Sequence, residues 1–263
     1  MKDKQKQKKY KVKYRYKYSL YAKTPHALIA GATSSGKTFM LYYLMMQFAK
    51  RGAEIYILDP KRSDLSSLIH YIPEGHNHVA FTPNQICSIL RKLNDEMNLR
   101  YEKYFSNTAK MGVNYQYFKL KPIVIFFDEL GAFVEEDKKV SKEADSYLKQ
   151  LVMKGRQAGI FLVLSTQKPN AEAISTSVRD QIGLRIALGQ LSKPGYKMTL
   201  GDDWESLPSV EIGTGKGLIM IDGLNWSTPR AYTAPFLDLE KLRFQSTLYH
   251  LLEKGNENLS MIK

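Results

Sequence analysis

Residues 31–38 read Gly-Ala-Thr-Ser-Ser-Gly-Lys-Thr, and this octapeptide constrains the fold more than any other part of the chain. It matches the phosphate-loop pattern G-x-x-x-x-G-K-[ST]. The apolar run at 27–30 indicates a short buried strand before it, and residues 38–50, rich in Leu, Met and Tyr, indicate a helix after it. Strand, glycine loop and helix in this order aim backbone N–H groups and a helix N-terminus at a phosphate. We therefore expect this segment to bind the phosphates of a nucleotide.

Within this loop, Lys37 is predicted to reach the β- and γ-phosphates, and the Thr38 hydroxyl is predicted to ligate Mg²⁺. The predicted phosphate-binding residues are Gly31, Ala32, Thr33, Ser34, Ser35, Gly36, Lys37 and Thr38. Residues 213–216, Gly-Thr-Gly-Lys, look like part of a second loop. They lack the upstream glycine and precede a predicted strand. We therefore predict that they do not form a second phosphate site.

A second motif lies about 90 residues downstream, where the apolar run 123–127 is followed by Asp128 and Glu129. An apolar strand that ends in two acids is the Walker B pattern. Asp128 is predicted to hold Mg²⁺, directly or through water. Glu129 is predicted to orient and deprotonate the attacking water. A carboxylate base beside the metal ligand favours hydrolysis.

A third polar segment, Ser165-Thr166-Gln167, ends the apolar run that begins at Ile160. The carboxyl ends of parallel strands line the ligand crevice of such sheets. Gln167 is therefore predicted to contact the γ-phosphate or the attacking water. The alternative is an ordinary exit from strand to loop.

The order of apolar runs and amphipathic segments predicts the fold class. Strands are predicted at 27–30, 54–58, 123–127, 160–165, 184–188 and 217–221. Helices are predicted at 38–50, 63–70, 84–105, 138–157 and 237–252. Apolar strands without alternation, separated by helices, predict an α/β fold with a mostly parallel sheet and helices on both faces. We expect one domain at 24–236, a basic extension at 1–23, and a helix with a polar tail at 237–263.

The chain is strongly basic, with 39 Lys and Arg against 26 Asp and Glu, a formal net charge of +13. Residues 1–17 hold nine of the basic side chains and one acid, so much of the excess lies at one end. Such an excess indicates a polyanionic partner, either nucleic acid or an anionic membrane surface.

Residues 10–18 alternate strictly between Tyr or Val and a basic side chain, which predicts a strand with one apolar and one basic face. The basic face carries Lys11, Lys13, Arg15 and Lys17, which are predicted to contact DNA. An equally open alternative is an ordinary edge strand whose lysines prevent edge-to-edge aggregation.

The cysteine content and the hydropathy of the sequence predict the cellular compartment. The one cysteine, Cys87, excludes an internal disulfide and suits a reducing compartment. No run approaches the roughly 18 apolar residues of a membrane span. The charged N-terminus lacks the apolar region of a secretory signal. We expect a cytoplasmic protein without an integral membrane segment.

Several further segments match one family in order along residues 24–222. They are Leu58-Asp59-Pro60-Lys61, Arg100-Tyr101, Met111-Gly112-Val113-Asn114, Phe127-Asp128-Glu129-Leu130, the runs 155–160 and 164–169, Ile174, Arg179, and the runs 184–187 and 215–220. Together with the phosphate loop they resemble the FtsK/SpoIIIE family of ring-forming DNA translocases, which are HerA/FtsK-like P-loop ATPases. The short form resembles the motors of mobile elements and plasmids.

The resemblance implies a RecA-like motor domain that assembles as a homo-oligomer, a hexamer, around double-stranded DNA. It implies ATP and Mg²⁺ as ligands, with ATP hydrolysed between subunits. An arginine of the neighbouring subunit would complete the site. By position, Arg185 is the first candidate for that role and Arg156 the second, and the alternative for each is a structural or surface arginine.

The resemblance leaves the cellular process open among DNA transfer such as conjugation, segregation and packaging. Partners could then include a relaxase, a replication protein or a membrane channel. The chain has too few residues after 240 for the winged-helix module of some larger members. Two alternative functions remain, a related ATPase of a protein secretion system and a nucleotide-switched DNA-binding regulator. The basic N-terminus favours the translocase over the first, and Glu129 argues against the second.

Overall fold

Eight strands form one sheet in the computed structural model, which describes residues 24, 26–202, 204, 206–211 and 213–260, with side chains to 255. The strands are β1 Ala27–Gly31, β2 Glu54–Leu58, β3 Val79–Ala80, β4 Ile123–Phe127, β5 Ile160–Thr166, β6 Leu184–Leu188, β7 Lys216–Ile221 and β8 Arg230–Thr233. Their spatial order is β3-β2-β4-β5-β1-β6-β7-β8. The phosphate-loop strand β1 therefore lies inside the sheet, between β5 and β6.

The first six strands run parallel to one another, and β7 and β8 extend the sheet beyond β6 with antiparallel pairing. The inner strands β1, β4 and β5 are buried along their whole length. This is why they read as continuous apolar runs without alternation. Parallel pairing brings the carboxyl ends of all six strands to one edge of the sheet.

The helices cover both faces of the sheet. Within the described residues they are α1 Lys37–Ala49, α2 Gly75–His78, α3 Pro83–Arg100, α4 Leu130–Glu136, α5 Lys138–Ala158, α6 Thr176–Arg179, α7 Lys193–Leu200, α8 Leu239–Leu242 and α9 Phe244–Ser260. A 3₁₀ turn lies at Ser66–His70 and a π turn at Tyr101–Phe105. Helices α1 and α9 share one apolar core with the sheet, and α3 and α5 share the other.

Local signals fix where the two long helices begin. Thr82 forms a reciprocal capping box with Gln85, and Pro83 occupies the first turn of α3. The Asp137 carboxylate accepts from the backbone N–H groups of Lys139 and Val140 and so begins α5. Gly159 ends α5 in a left-handed conformation (φ 80°), and an added Cβ there would lie 2.5 Å from the Tyr115 ring. The chain therefore passes from the end of α5 directly into β5.

The predicted fold class is confirmed: the sheet is mostly parallel and helices cover both of its faces. The six predicted strands are observed with limits within one residue of the prediction. The predicted helix at 63–70 is a shorter 3₁₀ turn, and the predicted C-terminal helix divides at Arg243, whose φ is 47°. Strands β3 and β8 and helices α2, α4, α6 and α7 were not predicted, because they are short or carry little apolar periodicity.

The predicted basic strand at 10–18, with its candidate DNA contacts, lies outside the described residues. Among the residues that are described, no helix combines the length and apolar character needed to cross a membrane.

Candidate nucleotide-binding site

The loop at 32–36 lies at the carboxyl end of β1 and leads directly into α1. Both glycines of the motif are required by close approach or by backbone conformation. An added Cβ at Gly31 would lie 2.4 Å from the Ser35 Oγ and 2.8 Å from the Leu188 carbonyl oxygen. Gly36 has a φ of 96°, which side-chain-bearing residues rarely adopt. The chain therefore folds here into the compact loop that the motif predicts.

A second turn braces this loop from the neighbouring antiparallel edge. Gly215 N–H donates to the Ser35 carbonyl at 2.8 Å, and the Thr214 hydroxyl donates to the Ser34 carbonyl at 3.2 Å. An added Cβ at Gly36 would lie 2.9 Å from the Gly215 nitrogen. Residues 213–215 lead into β7, as the sequence indicates, and they are no second phosphate loop. Their contribution to the shape of the true loop was not foreseen.

Glu129 lies beside Lys37 at the carboxyl ends of β4 and β1. The Lys37 Nζ is 3.6 Å from Glu129 Oε2, and the two side chains are 9% and 6% exposed. The Gln167 N–H lies 3.1 Å from each carboxylate oxygen, and the Thr166 hydroxyl donates to Oε1 at 3.2 Å. Lys61 contributes a second ammonium group, 3.5 Å from Oε2. The predicted phosphate-loop lysine and Walker B glutamate are thus brought together in a nearly buried cluster.

The backbone of Glu129 also adopts an unusual conformation. Its φ is 54° and its ψ is 66°, a left-handed conformation that side-chain-bearing residues adopt only at some cost. The residue stands at the junction between β4 and α4. Such strained positions concentrate at functional sites, where the surrounding structure holds them. The strain therefore agrees with a chemical role for this carboxylate.

Burial lowers the pKa of the Lys37 ammonium, the carboxylates of Asp128 and Glu129 oppose that shift, and Lys61 adds to it. A partly desolvated cation gains more from a new anionic partner than an exposed one does. An incoming phosphate would be such a partner. The electrostatics of the loop therefore suit an anionic ligand at this position.

Asp128 stands at the same edge, between β2 and β5 in the sheet. The Ser165 hydroxyl donates to Asp128 Oδ1, and the Asp128 N–H donates to the Leu58 carbonyl at 2.8 Å. Thr38 is half-buried in the first turn of α1. A carboxylate and a hydroxyl are the oxygen ligands that Mg²⁺ accepts, usually with waters and phosphate oxygens in its other positions. The donor chemistry of these two residues therefore fits the predicted metal.

Gln167 directly follows β5 and is half-buried. Its backbone N–H holds Glu129, which places the residue in the predicted site through a contact that the sequence did not indicate.

The two candidate arginines lie at the opposite end of the sheet. Arg185 is paired in register with Leu28, three residues before Gly31, so it stands about 10 Å along the strand from the loop. Its guanidinium forms an ion pair with Asp222. Arg156 is exposed near the end of α5, just before β5 begins. Neither is brought to the phosphate loop of its own chain.

Other residues of the cluster were not predicted as site residues. They are Asp59, Lys61, Ser165, Thr166, Thr214 and Gly215. Most of them follow or end a strand at the carboxyl edge, and that position was the available signal. The missing information was the strand order, which places β2 beside β4 and β7 beside β6.

The family model described as FtsK/SpoIIIE family matches residues 13–192. The chain belongs to the FtsK/SpoIIIE family. This FtsK/SpoIIIE chain is 45% identical over 185 residues to the FtsK domain-containing protein YdcQ of Bacillus subtilis, covering 69% of the chain and 38% of that protein. It is 27% identical over 250 residues to the DNA translocase FtsK of Caldanaerobacter subterraneus subsp. tengcongensis, covering 92% of the chain and 34% of the translocase. The chain thus spans little more than a third of the length of these relatives.

Solved structures share the fold of this FtsK/SpoIIIE chain. The conjugation coupling protein TcpA of pCW3, in its monomer form with ATPγS, superposes with a TM-score of 0.70 at 21% identity, covering 88% of the chain and 66% of that protein. ATPases 2 and 3 of EssC from Geobacillus thermodenitrificans give a TM-score of 0.65 at 18% identity, covering 90% of the chain and 45% of that protein. The fold is therefore that of the FtsK-family P-loop ATPases.

Proposed function

We propose that this chain hydrolyses ATP as the motor of a ring-forming double-stranded DNA translocase. One observation carries the catalytic part of the proposal. The Glu129 carboxylate is nearly buried, is fixed by hydrogen bonds from the end of β5, and lies 3.6 Å from the phosphate-loop lysine. A fixed carboxylate next to a phosphate loop is suited to orient a water molecule at the γ-phosphate.

The proposed reaction assigns a role to each of these groups. Lys37 binds the β- and γ-phosphate oxygens and leaves the Glu129 carboxylate free to accept a proton from the attacking water. The water oxygen bonds to the γ-phosphorus as the bond from that phosphorus to the β–γ bridging oxygen breaks, which releases phosphate and ADP. Thr38 and Asp128 would hold Mg²⁺, which neutralises charge on the phosphates when bound.

Completion of the site by a neighbouring subunit is part of the proposal. In a ring, the amino end of one sheet can approach the phosphate edge of the next subunit, and both Arg185 and Arg156 lie at that amino end. Arg185 is our first choice. Mixing Arg185→Ala with Lys37→Ala subunits should restore some activity, because a mixed interface can pair an intact loop with an intact arginine.

Double-stranded DNA is the proposed partner because of the net charge of +13 and the basic segment at 1–17. Positive charge of this size binds the phosphate backbone through the release of counterions. Contacts from Lys11, Lys13, Arg15 and Lys17 belong to this proposal. The family to which the chain belongs agrees with it.

The test is the steady-state rate of ATP hydrolysis with and without linear duplex DNA at low salt. The rate should rise severalfold with DNA and fall back as salt is added. The matched control is Lys37→Ala, which should show no turnover under either condition while it melts like the wild-type protein. Turnover that duplex DNA does not change would contradict the translocase. Turnover that persists in a folded Lys37→Ala protein would contradict the assignment of the active site.

A further inference from the structure

A rigid turn after β2 carries Lys61 to the Walker B glutamate. Arg62 N–H donates to the Asp59 carbonyl at 3.0 Å, which closes a turn with Pro60 and Lys61 at its centre. The buried Asp59 carboxylate fixes the far side of that turn. Its Oδ2 accepts from the Ser63 hydroxyl at 3.0 Å and from the Ser66 N–H at 2.9 Å. These hydrogen bonds therefore fix the backbone position of Lys61.

Lys61 and Lys37 approach the same carboxylate oxygen. Their Nζ atoms lie 3.5 Å and 3.6 Å from Glu129 Oε2. The two lysines differ in their surroundings, since the Lys61 side chain is 42% exposed and the Lys37 side chain 9%. Lys61 is therefore the cation on the solvent side of this cluster.

Binding of a nucleotide changes this arrangement. In the proposed function, which this inference assumes, Lys37 leaves Glu129 for the phosphates. The remaining described contacts of the carboxylate are then the Thr166 hydroxyl, the Gln167 N–H and Lys61. Of these three groups only Lys61 is charged. A nearly buried carboxylate without a cation is costly, and a γ-phosphate nearby raises that cost through like-charge repulsion.

We propose that Lys61 is a positioning residue for Glu129. It keeps the carboxylate charge balanced and its orientation fixed after Lys37 has moved to the nucleotide, so that one oxygen faces the attacking water. It acts through Glu129 and leaves the binding of the triphosphate to the loop at 31–38. The expected signature is a loss in kcat with KM for ATP nearly unchanged.

The experiment compares Lys61→Met with wild type in steady-state ATP hydrolysis, using the full chain with duplex DNA present. Methionine keeps the length of the side chain and removes its charge. We expect kcat to fall roughly 10- to 100-fold, as for misplacement of a general base, and KM to change by less than about threefold. Lys61→Arg, which restores a cation on the same turn, should recover much of the loss.

Lys149→Met is the matched control. Lys149 lies on α5, its side chain is 41% exposed, and it forms an ion pair with Asp145. Lys149 therefore resembles Lys61 in exposure and pairing but lies outside the phosphate site. The kcat of Lys149→Met should stay at the wild-type value.

A second comparison isolates the dependence on Glu129. In single-turnover reactions with Glu129→Gln, adding Lys61→Met should cause little further loss, because the group that Lys61 positions has already been removed. An undiminished effect of Lys61→Met in that background would overturn the proposal. A wild-type kcat for a folded Lys61→Met protein, or a change confined to KM, would also overturn it. Failure of the proposed function is a separate result, since the wild-type protein would then show no ATP turnover or no response to DNA.

Discussion

The two ends of the parallel strands bury polar side chains in different ways. At the amino ends, buried groups are bonded to the backbone. The Arg100 Nη1 donates to the carbonyls of Lys121 and Ala158 at 3.0 Å and 2.8 Å, and His26 Nδ1 accepts from Leu162 N–H at 3.1 Å. Both side chains are nearly inaccessible to solvent. These contacts hold together the segments that enter β4, β5 and β1.

At the carboxyl ends, polar side chains are bonded largely to one another. Lys37 and Lys61 share an oxygen of Glu129, and the Ser165 hydroxyl donates to the Asp128 carboxylate. Both ends hold buried atoms without a hydrogen-bond partner among the described residues: Asp59 Oδ1 and the Ser35 hydroxyl at this end, and His26 Nε2 and Arg185 Nε at the amino ends. Buried polar groups in folded proteins are rarely left without a hydrogen-bond partner. The polar groups of this edge are therefore only partly satisfied by the chain itself.

The difference separates groups that stabilise the fold from groups that can act on a ligand. A side chain bonded to a carbonyl at a strand end cannot change partner without opening the backbone. A lysine bonded to a glutamate can exchange it for a phosphate while the fold stays intact. Substitutions at the carboxyl edge should therefore change turnover more than stability, and substitutions at the amino edge should do the reverse.

The largest effect is expected for Glu129→Gln. The variant should bind ATP and hydrolyse it on the order of 10²–10⁴-fold more slowly, because the proposed general base is lost. The free energy of unfolding should change little, since an amide can keep hydrogen bonds at the end of β5. ATP binding by fluorescence titration, turnover and urea unfolding measure these three quantities. Loss of ATP binding would show instead that Glu129 is needed to build the site.

Arg100→Met should have the opposite profile. Removing the guanidinium leaves the buried carbonyls of Lys121 and Ala158 without their donor and breaks the Arg100–Glu96 ion pair. The free energy of unfolding should fall by about 1–3 kcal/mol for each of the two buried carbonyls left without a donor. Turnover per folded molecule should stay close to wild type. Urea unfolding together with active-site titration tests both statements, and a stable but inactive variant would break the comparison.

His26 provides a smaller effect that depends on pH. Burial, aided by the positive charge of Arg156, lowers the pKa of His26 from 6.5 to about 4 in the folded protein. The unfolded chain therefore binds the proton first as pH falls below 6.5, and stability is lost between pH 6.5 and pH 4. The full contribution amounts to about 3 kcal/mol, from 1.36 kcal/mol per pKa unit.

His26→Asn is the variant that measures this contribution, because asparagine keeps an acceptor for Leu162 N–H and does not titrate. Its deficit in the free energy of unfolding relative to wild type should shrink by about 3 kcal/mol from pH 7 to pH 4. A deficit that stays constant with pH would mean that His26 has the same pKa in the folded and unfolded protein.

Much of the fold could be predicted because its signals are local. The largely apolar runs at 54–58, 123–127 and 184–188 predicted the strand limits, since strands covered on both faces are mostly apolar. The edge strand β8 was missed because its side chains are mostly exposed and carry no such run. Helix α4 was missed because its short segment includes Gly131 and two acids. Short and exposed elements are stabilised mainly by contacts that are distant in sequence.

The sequence by itself determined the phosphate loop, the strand that ends in Asp128 and Glu129, and the family to which the chain belongs, because each depends on residue types at fixed short spacings. The tertiary structure alone decided the neighbours of those residues. Lys61 lies 68 positions before Glu129 yet reaches it, because β2 and β4 are adjacent in the sheet. Residues 213–215 brace a loop about 180 positions earlier, because β7 returns antiparallel beside β6. Strand order results from the packing of the whole chain, and no local spacing encodes it.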